Sequence, residues 1–249
     1  MFTGPNIINS NLIMYLDAAS TKSISATTSI WIDRSGNGNH GTISTGEYVT
    51  ASSNYLQNLG NTSSFFSISV NDSTSLNSAF SVTTGGWTIE EVIWTNSVIY
   101  PEADAGTSVS TGYGTASTGF DWNHGMLNTT FKFSMSNSTI GGASIYDDEI
   151  SISVPSQYNY LSGWKLRTMI WNRSTNTVLL YINGILIGSG STINVNGLSL
   201  YDGAGLVIGS LYGWKHYGRR GLFKVYNKVL TQSEITQNYD AIKSRYNLS

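Results

Sequence analysis

The sequence predicts an all-β fold, a two-sheet antiparallel sandwich with a short C-terminal α-helix. Three observations support this prediction. Residues 177–188 hold two apolar runs on either side of an Asn-Gly pair, other segments alternate apolar and polar side chains with a period of two, and residues 231–246 carry helix-capping signals. No repeat or linker interrupts this series, so we expect one domain, residues 12–249, after an N-terminal arm, residues 1–11.

The Asn-Gly pair, Asn183-Gly184, predicts a type I′ hairpin turn, because both central residues of that turn need a positive φ. The turn also sets the register of the two strands. The expected pairs are Ile182 opposite Ile185, Tyr181 opposite Leu186, and Leu180 opposite Ile187. Both faces of this hairpin are apolar, so we expect it in the middle of a sheet that is covered on both sides.

Further strands follow from apolar runs and from period-two alternation. They are predicted within residues 12–19, 67–70, 87–94, 130–135, 149–154, 163–171, 206–209 and 223–226. Residues 101–118 and 213–221 are predicted as loops, the first with a short strand at most. Long loops of a compact domain often carry function, so we expect partner specificity in residues 95–150.

The 87–94 strand contains two adjacent acids, Glu90 and Glu91. Neighbouring side chains of a strand point to opposite faces, so these two cannot form a catalytic carboxylate pair. An ionised Glu that points inward is costly without a partner.

The C-terminal helix is predicted over residues 231–246. Thr231 as N-cap and Glu234 three residues later form a capping box, and Leu230 with Ile235 makes a hydrophobic staple. An apolar stripe at helical spacing predicts that the helix docks on the sandwich. The stripe consists of Ile235, Tyr239, Ile242 and Tyr246.

Residues 33–41, rich in Gly and Asn, predict a tight turn in which Asp33 caps backbone N–H groups. A ligand or cation loop is the alternative for this segment, with Asp33 and Asn37 as a second choice of calcium ligands. The densest acids of the chain are weak calcium candidates, because calcium takes carboxylate oxygens. They are Asp147, Asp148 and Glu149. Neither set has an EF-hand spacing, so no metal site and no cofactor is predicted.

Composition limits the classes of function. Charged residues make up 11% of the 249 residues and the formal net charge is −2, which argues against nucleic acid as a partner. The absence of cysteine excludes disulfides, thiolate metal sites and cysteine nucleophiles. No window is long and apolar enough to span a membrane, and the N-terminal residues lack the pattern of a secretory signal, so we expect neither membrane insertion nor export by a signal peptide.

An ordered set of motifs resembles the laminin-G-like (LamG-like), concanavalin A-like jelly-roll domains. The motifs are residues 15–19 followed by 31–41, the 87–94 strand, and residues 221–231 followed by Glu234 and Ile235. Residues 2–7 also resemble the start of phage proteins made of this domain alone. The resemblance covers nearly the whole chain. It implies a two-sheet antiparallel jelly-roll sandwich.

The resemblance also implies a function. We expect a non-catalytic virion structural protein of a tailed phage, which decorates the capsid or tail surface through contacts with other virion proteins and with copies of itself. Such a protein is located in the phage particle and is made in the host cytoplasm without a signal peptide. The alternative is a lectin-like adhesin module that binds a glycan or receptor, including a host surface glycan, on a virion or cell surface. A third hypothesis is a glycoside hydrolase.

No catalytic residue is predicted. The three histidines, His40, His124 and His216, lie beside glycines in loop-like segments and lack a metal-ligand spacing. A ligand or partner surface is instead expected at aromatic and cationic residues, which dominate interface hot spots and also form sugar platforms. These candidates are Trp122, His124, Trp214, His216, Tyr217 and Arg219.

Overall fold

A computed structural model describes residues 5–24, 29–43, 55–57, 68–71, 73–80, 85–95, 109–111, 119–124, 130–136, 148–158, 163–191, 206–208, 210–211, 214–215 and 218–248. These residues are mostly β-strands, paired antiparallel in two large sheets, and the chain ends in an α-helix. The predicted all-β sandwich with a C-terminal helix is confirmed.

The strands of the described residues are numbered in chain order. They are β1 (Leu12–Asp17), β2 (Ile30–Trp31), β3 (Gly41–Ile43), β4 (Leu56–Gln57), β5 (Ile68–Val70), β6 (Gly86–Thr95), β7 (Val109–Thr111), β8 (Gly119–His124), β9 (Thr130–Ser136), β10 (Asp148–Ser153), β11 (Lys165–Asn172), β12 (Thr177–Ile182), β13 (Ile185–Ser191), β14 (Leu206–Ile208), β15 (Ser210–Leu211), β16 (Trp214–Lys215) and β17 (Gly218–Tyr226). The helices are α1 (Thr74–Phe80) and α2 (Gln232–Tyr246), and Ser156–Tyr158 forms a 3₁₀ turn.

Within the described residues, the first sheet has seven strands and the second has eight. The first runs β1-β17-β6-β11-β12-β13, with β4 also paired to β17, and the second runs β10-β9-β8-β7-β14-β5-β3-β2. Side chains from both sheets form one hydrophobic core. At its centre Trp87 of the first sheet lies 6.2 Å, centroid to centroid, from Phe133 of the second and 5.4 Å from Phe80 of α1.

The predicted hairpin turn is confirmed. Asn183 and Gly184 have φ angles of 51° and 79°, as a type I′ turn requires. The first two predicted pairs are also found, Ile182 opposite Ile185 and Tyr181 opposite Leu186. The third is wrong, because an irregularity after Leu180 shifts the register and places Leu180 opposite Gly188.

The predicted position of the hairpin, in the middle of a sheet, is wrong. Among the described residues β13 is the edge strand of the first sheet, and Ile185 and Leu186 are 50% and 49% exposed. The strand of the hairpin that is covered on both faces is β12, since Leu180 lies in the core between the sheets and Tyr181 packs in the cluster that holds Ile235 of α2. A Cβ at Gly188 would lie 2.7 Å from Cγ2 of Ile152, so this glycine lets β10, the edge of the second sheet, pack closely against β13.

The predicted capping of the C-terminal helix is confirmed. Thr231 Oγ1 accepts a hydrogen bond from the Glu234 backbone N–H at 3.3 Å, and the Glu234 carboxylate accepts one from the Thr231 N–H at 3.0 Å. Leu230 and Ile235 are both buried in one hydrophobic cluster, as the staple predicts. The helix begins at Gln232 and not at the cap itself.

Helix α2 docks on the outer face of the first sheet, opposite the second sheet. Ile242 and Tyr246 pack there against Val92 and Leu222. Asn238, which is fully buried, ties the helix to the N-terminal segment, because its Oδ1 accepts a hydrogen bond from the Ile8 N–H at 2.8 Å.

Replacing Thr231 by Ala should lower the free energy of unfolding by about 1 kcal/mol, the usual cost of losing an N-cap side chain. Urea denaturation measures the change. The matched control is Ser233→Ala, an exposed position in the first turn of the same helix. Equal effects of the two substitutions would contradict a stabilising role of the cap.

The prediction of a short strand at most within residues 101–118 is confirmed by β7 at 109–111. The prediction of a loop over residues 213–221 is wrong, because its described residues lie in β16 and at the start of β17. Helix α1 was not predicted. Its burial depends on contacts with the distant strands β1 and β6, which its own sequence does not reveal.

Candidate functional site

The two adjacent acids of β6 lie on opposite faces, as predicted, and the structure shows that both are buried beside a cationic partner. Glu91 points into the core between the sheets, where its carboxylate forms ion pairs with Arg167 and Arg220. Burial raises the pKa of Glu91, but the attraction of the two guanidiniums outweighs it and holds this pKa below the usual value.

Glu90 points to the outer face, under helix α2. Its carboxylate lies 2.6 Å from Lys224 Nζ and accepts hydrogen bonds from Asn238 Nδ2 at 2.9 Å and from Thr168 Oγ1 at 3.2 Å. Both acids are at most 1% exposed. A polysaccharide therefore cannot reach them, and they serve as structural ion pairs in place of the glycosidase acids that the third hypothesis needs.

The Gly- and Asn-rich turn is organised by Asp33, as predicted. The Asp33 carboxylate accepts hydrogen bonds from the backbone N–H groups of Tyr15, Ser35 and Asn39, at 2.8, 2.9 and 3.0 Å. His40 Nδ1 accepts one from the Asp33 N–H at 3.0 Å. These contacts explain the conformation of the segment as a hydrogen-bonded turn.

The structure does not bring the other predicted site residues together in one element. Trp122 and His124 lie in β8 of the second sheet, and Trp214 lies in β16, which pairs with β15 in a separate two-stranded sheet. His216, Tyr217 and Asp147 lie outside the described residues, and Asp148 and Glu149 begin β10. In the described part of the chain, no group of three or more His, Asp or Glu side chains is arranged to hold a metal ion.

Arg219 lies in an aromatic cluster on the first sheet. Its guanidinium carbon is 4.5 Å from the ring centroid of Tyr55 and 4.4 Å from that of Trp94, which are cation–π distances. The Tyr55 ring lies 5.5 Å from Trp164. All four side chains are half-buried. The sequence identified the arginine but not the rings, which come from separate strands and connections.

A cleft of about 610 Å³ opens where the hairpin turn, the 3₁₀ turn and helix α2 meet, and we call it the hairpin cleft. It is lined by Gln157, Tyr158, Asn183, Gly184, Ile185, Thr236, Tyr239 and Asp240. No pattern in the sequence indicates this cleft as a site. Tyr239 was predicted only as part of the buried stripe of the helix, and the structure leaves it half-buried.

The hairpin turn is held against its neighbours on two sides. Asn183 exchanges two hydrogen bonds with Leu166 of β11, one from its backbone N–H at 2.8 Å and one to its side-chain oxygen at 2.9 Å. The Gly184 carbonyl accepts a hydrogen bond from Gln232 Nε2 at 2.9 Å. The wall of the hairpin cleft is therefore fixed to both the sheet and the helix.

Two polar groups of the hairpin cleft are already paired. Asp240 Oδ1 accepts a hydrogen bond from Lys243 Nζ at 2.6 Å, and Thr236 Oγ1 donates to the Gln232 carbonyl at 2.9 Å. Among the described residues, the Gln157 amide and the hydroxyls of Tyr158 and Tyr239 form no hydrogen bond within the protein. The site thus offers donors and acceptors beside apolar surface, the usual composition of a binding pocket.

No helix among the described residues is both long and apolar enough to cross a membrane. No protein-family model matches the chain, and no curated protein matches it. Solved structures of toxin binding domains share this β-sandwich fold.

Three of these solved structures show how far the likeness extends. The binding domain of Paraclostridial Mosquitocidal Protein 1 is 18% identical, with a TM-score of 0.64 over 92% of this chain and 52% of that one. The binding domain of botulinum neurotoxin DC in complex with rat synaptotagmin II is 16% identical, with a TM-score of 0.61 over 94% and 52%. The same domain in complex with SialylT is 17% identical, with a TM-score of 0.55 over 94% and 52%.

The present chain spans about half the length of each of these binding domains. At this level of identity the likeness shows the fold. It supports the β-sandwich implied by the motif resemblance, and it gives no support to the laminin-G-specific or phage-specific part of that resemblance.

Proposed function

We propose that this chain is a non-catalytic binding module that attaches to a glycan or receptor on a cell surface. The observation that carries the proposal is the match of 92% to 94% of the chain to structures that are all binding domains. The ligands in their names, synaptotagmin and SialylT, belong to whole domains about twice as long as the match. The binding of a glycan or receptor by this chain is therefore proposed, and it is not inferred from those names alone.

The burial of Glu90 and Glu91 agrees with a non-catalytic role, because the acids of β6 hold the fold together instead of facing a substrate. The surface also suits a binding module. Half-buried aromatic side chains surround Arg219, and further tyrosines line the hairpin cleft. Both surfaces offer the rings on which sugars and receptor side chains pack.

A virion structural protein of a tailed phage is the second candidate. The motif resemblance favours it, in particular residues 2–7 and 31–41. In this case the chain would be part of the particle and would contact other virion proteins and its own copies.

The purified chain should bind saturably to intact cells or to an array of immobilised neutral and sialylated oligosaccharides. Heat-unfolded chain is the control, because binding by a folded surface is lost on unfolding. Mass spectrometry of purified phage particles tests the second candidate. Absence of any binding, together with a fixed copy number in particles, would reject the adhesin and support the virion role.

A further inference from the structure

We propose that the hairpin cleft is a saccharide site and that its ligand is an uncharged sugar. This inference rests on the proposed binding function and names the ligand class and the place where it binds. The cleft volume of about 610 Å³ lies within the usual range of small-ligand sites.

The walls of the hairpin cleft match the two kinds of surface that a sugar presents. Tyr158 and Tyr239, both half-buried, and Ile185, half-exposed, provide apolar surface for the C–H faces of a sugar ring. Unpaired polar groups beside them can bind sugar hydroxyls, which both donate and accept hydrogen bonds. A purely apolar ligand would cover these groups without satisfying them, and that is costly.

The charges around the hairpin cleft favour an uncharged ligand. Asp240 is the acid of its lining, and its Oδ1 is paired with Lys243, which leaves Oδ2 to accept a hydrogen bond from a sugar hydroxyl. No arginine or lysine is among the residues that line the described cleft. A carboxylated sugar would therefore have no cation of the lining to pair with, since Lys243 already pairs with Asp240, and covering an unpaired carboxylate is costly.

Contacts within the fold also fix one wall of the hairpin cleft. The hydrogen bonds of Asn183 to Leu166 and of Gly184 to Gln232 fix the wall formed by the turn. A preformed wall lowers the ordering cost of binding, which matters for a ligand that gains little from each contact.

Thr236→Arg should weaken binding of the best-bound neutral oligosaccharide of the array by more than about tenfold, because the long side chain fills the hairpin cleft. Thr236 is exposed, so the core keeps its packing. The matched control is Ser233→Arg, which adds the same side chain at an exposed position of α2 outside the cleft lining. Binding to the control should equal that of the original chain, and titration calorimetry measures both.

Asp240→Asn should weaken the same binding by about tenfold, because a hydroxyl loses a charged acceptor. The surface pair with Lys243 contributes little to stability, so the fold is retained. Far-UV circular dichroism confirms folding of each variant before binding is measured.

The outcomes separate this inference from the proposed function. Equal binding by Thr236→Arg and the original chain, with loss of binding in Trp122→Ala or Trp214→Ala, would overturn the site and keep the binding function. Preference for sialylated over neutral sugars, or for a peptide receptor alone, would overturn the ligand class. Absence of all saccharide and cell binding would overturn both proposals.

Discussion

Replacing Glu91 by Gln should lower the free energy of unfolding by about 3–5 kcal/mol, the usual cost of breaking a buried ion pair. The substitution keeps the shape of the side chain and removes the negative charge that Arg167 and Arg220 share in the core. Urea denaturation at pH 7 measures the effect. The midpoint should fall with little change in slope, because the folded state buries the same surface.

The same carboxylate makes stability depend on pH. The pKa of Glu91 in the folded protein lies below its usual value of 4.5, because attraction by the two arginines outweighs the effect of burial. Its contribution to stability is therefore complete above the unfolded pKa and is lost as the pH falls through the lower, folded pKa. The Glu91→Gln variant should lose less stability than the original chain when the pH is lowered below about 4.5.

Glu234→Gln is the matched control. Glu234 also forms an ion pair, with Lys228 at 2.5 Å, but both side chains are partly exposed to solvent. Loss of this ion pair should lower the free energy of unfolding by less than about 1 kcal/mol. Equal losses of unfolding free energy in the two variants would contradict the view that the buried ion pairs of Glu91 stabilise the fold more than a partly exposed pair does.

The features that the sequence predicted well are those with local causes. The Asn183-Gly184 turn and the Thr231 cap depend on residues within four positions of each other, and both are confirmed. The need of the β6 acids for partners is also local in origin, since burial alone makes a lone charge costly. The identity of those partners is not local. Arg220 falls in a segment that the sequence predicts as a loop. Its partner Glu91 is 129 residues away on another strand, so no local pattern connects the two.

The hairpin cleft could not be predicted for the same reason. Its walls come from the 3₁₀ turn, the hairpin turn and α2, three segments that are far apart in the chain. A period-two pattern says which face of a strand is apolar, but it does not say whether the strand lies at an edge. β13 is the edge strand of the first sheet as described, and its first residue, Ile185, lines the cleft.

Gly221→Ala should lower the free energy of unfolding by about 3 kcal/mol, because an added methyl group overpacks the contact between β17 and the end of α2. A Cβ at Gly221 would lie 2.8 Å from Cζ of Tyr246 and still closer to Cε1. The ring has little room to move. Its hydroxyl donates a hydrogen bond to the Gly221 carbonyl at 2.7 Å and lies 3.1 Å from the Asp17 carboxylate.

The Asp17 carboxylate makes this contact part of a wider network. It accepts a hydrogen bond from the Tyr15 hydroxyl at 2.7 Å and forms an ion pair with Arg245 at 3.0 Å. Burial, together with the charge of Asp17, raises the pKa of Tyr15 to about 12, so the phenol stays protonated and donates at neutral pH. A displaced Tyr246 ring would disturb this network and release the last turn of α2 from the sheet.

A double-mutant cycle with Tyr246→Ala tests the proposed clash. Without the Tyr246 ring, the Gly221→Ala substitution should cost less than about 0.5 kcal/mol, because no large side chain then opposes the new methyl group. The interaction energy from the four denaturation curves should therefore be about 2–3 kcal/mol. Additive effects would show that the cost of Gly221→Ala arises in the backbone of β17 and not from a clash with the Tyr246 ring. The account of helix docking through Tyr246 would then be wrong.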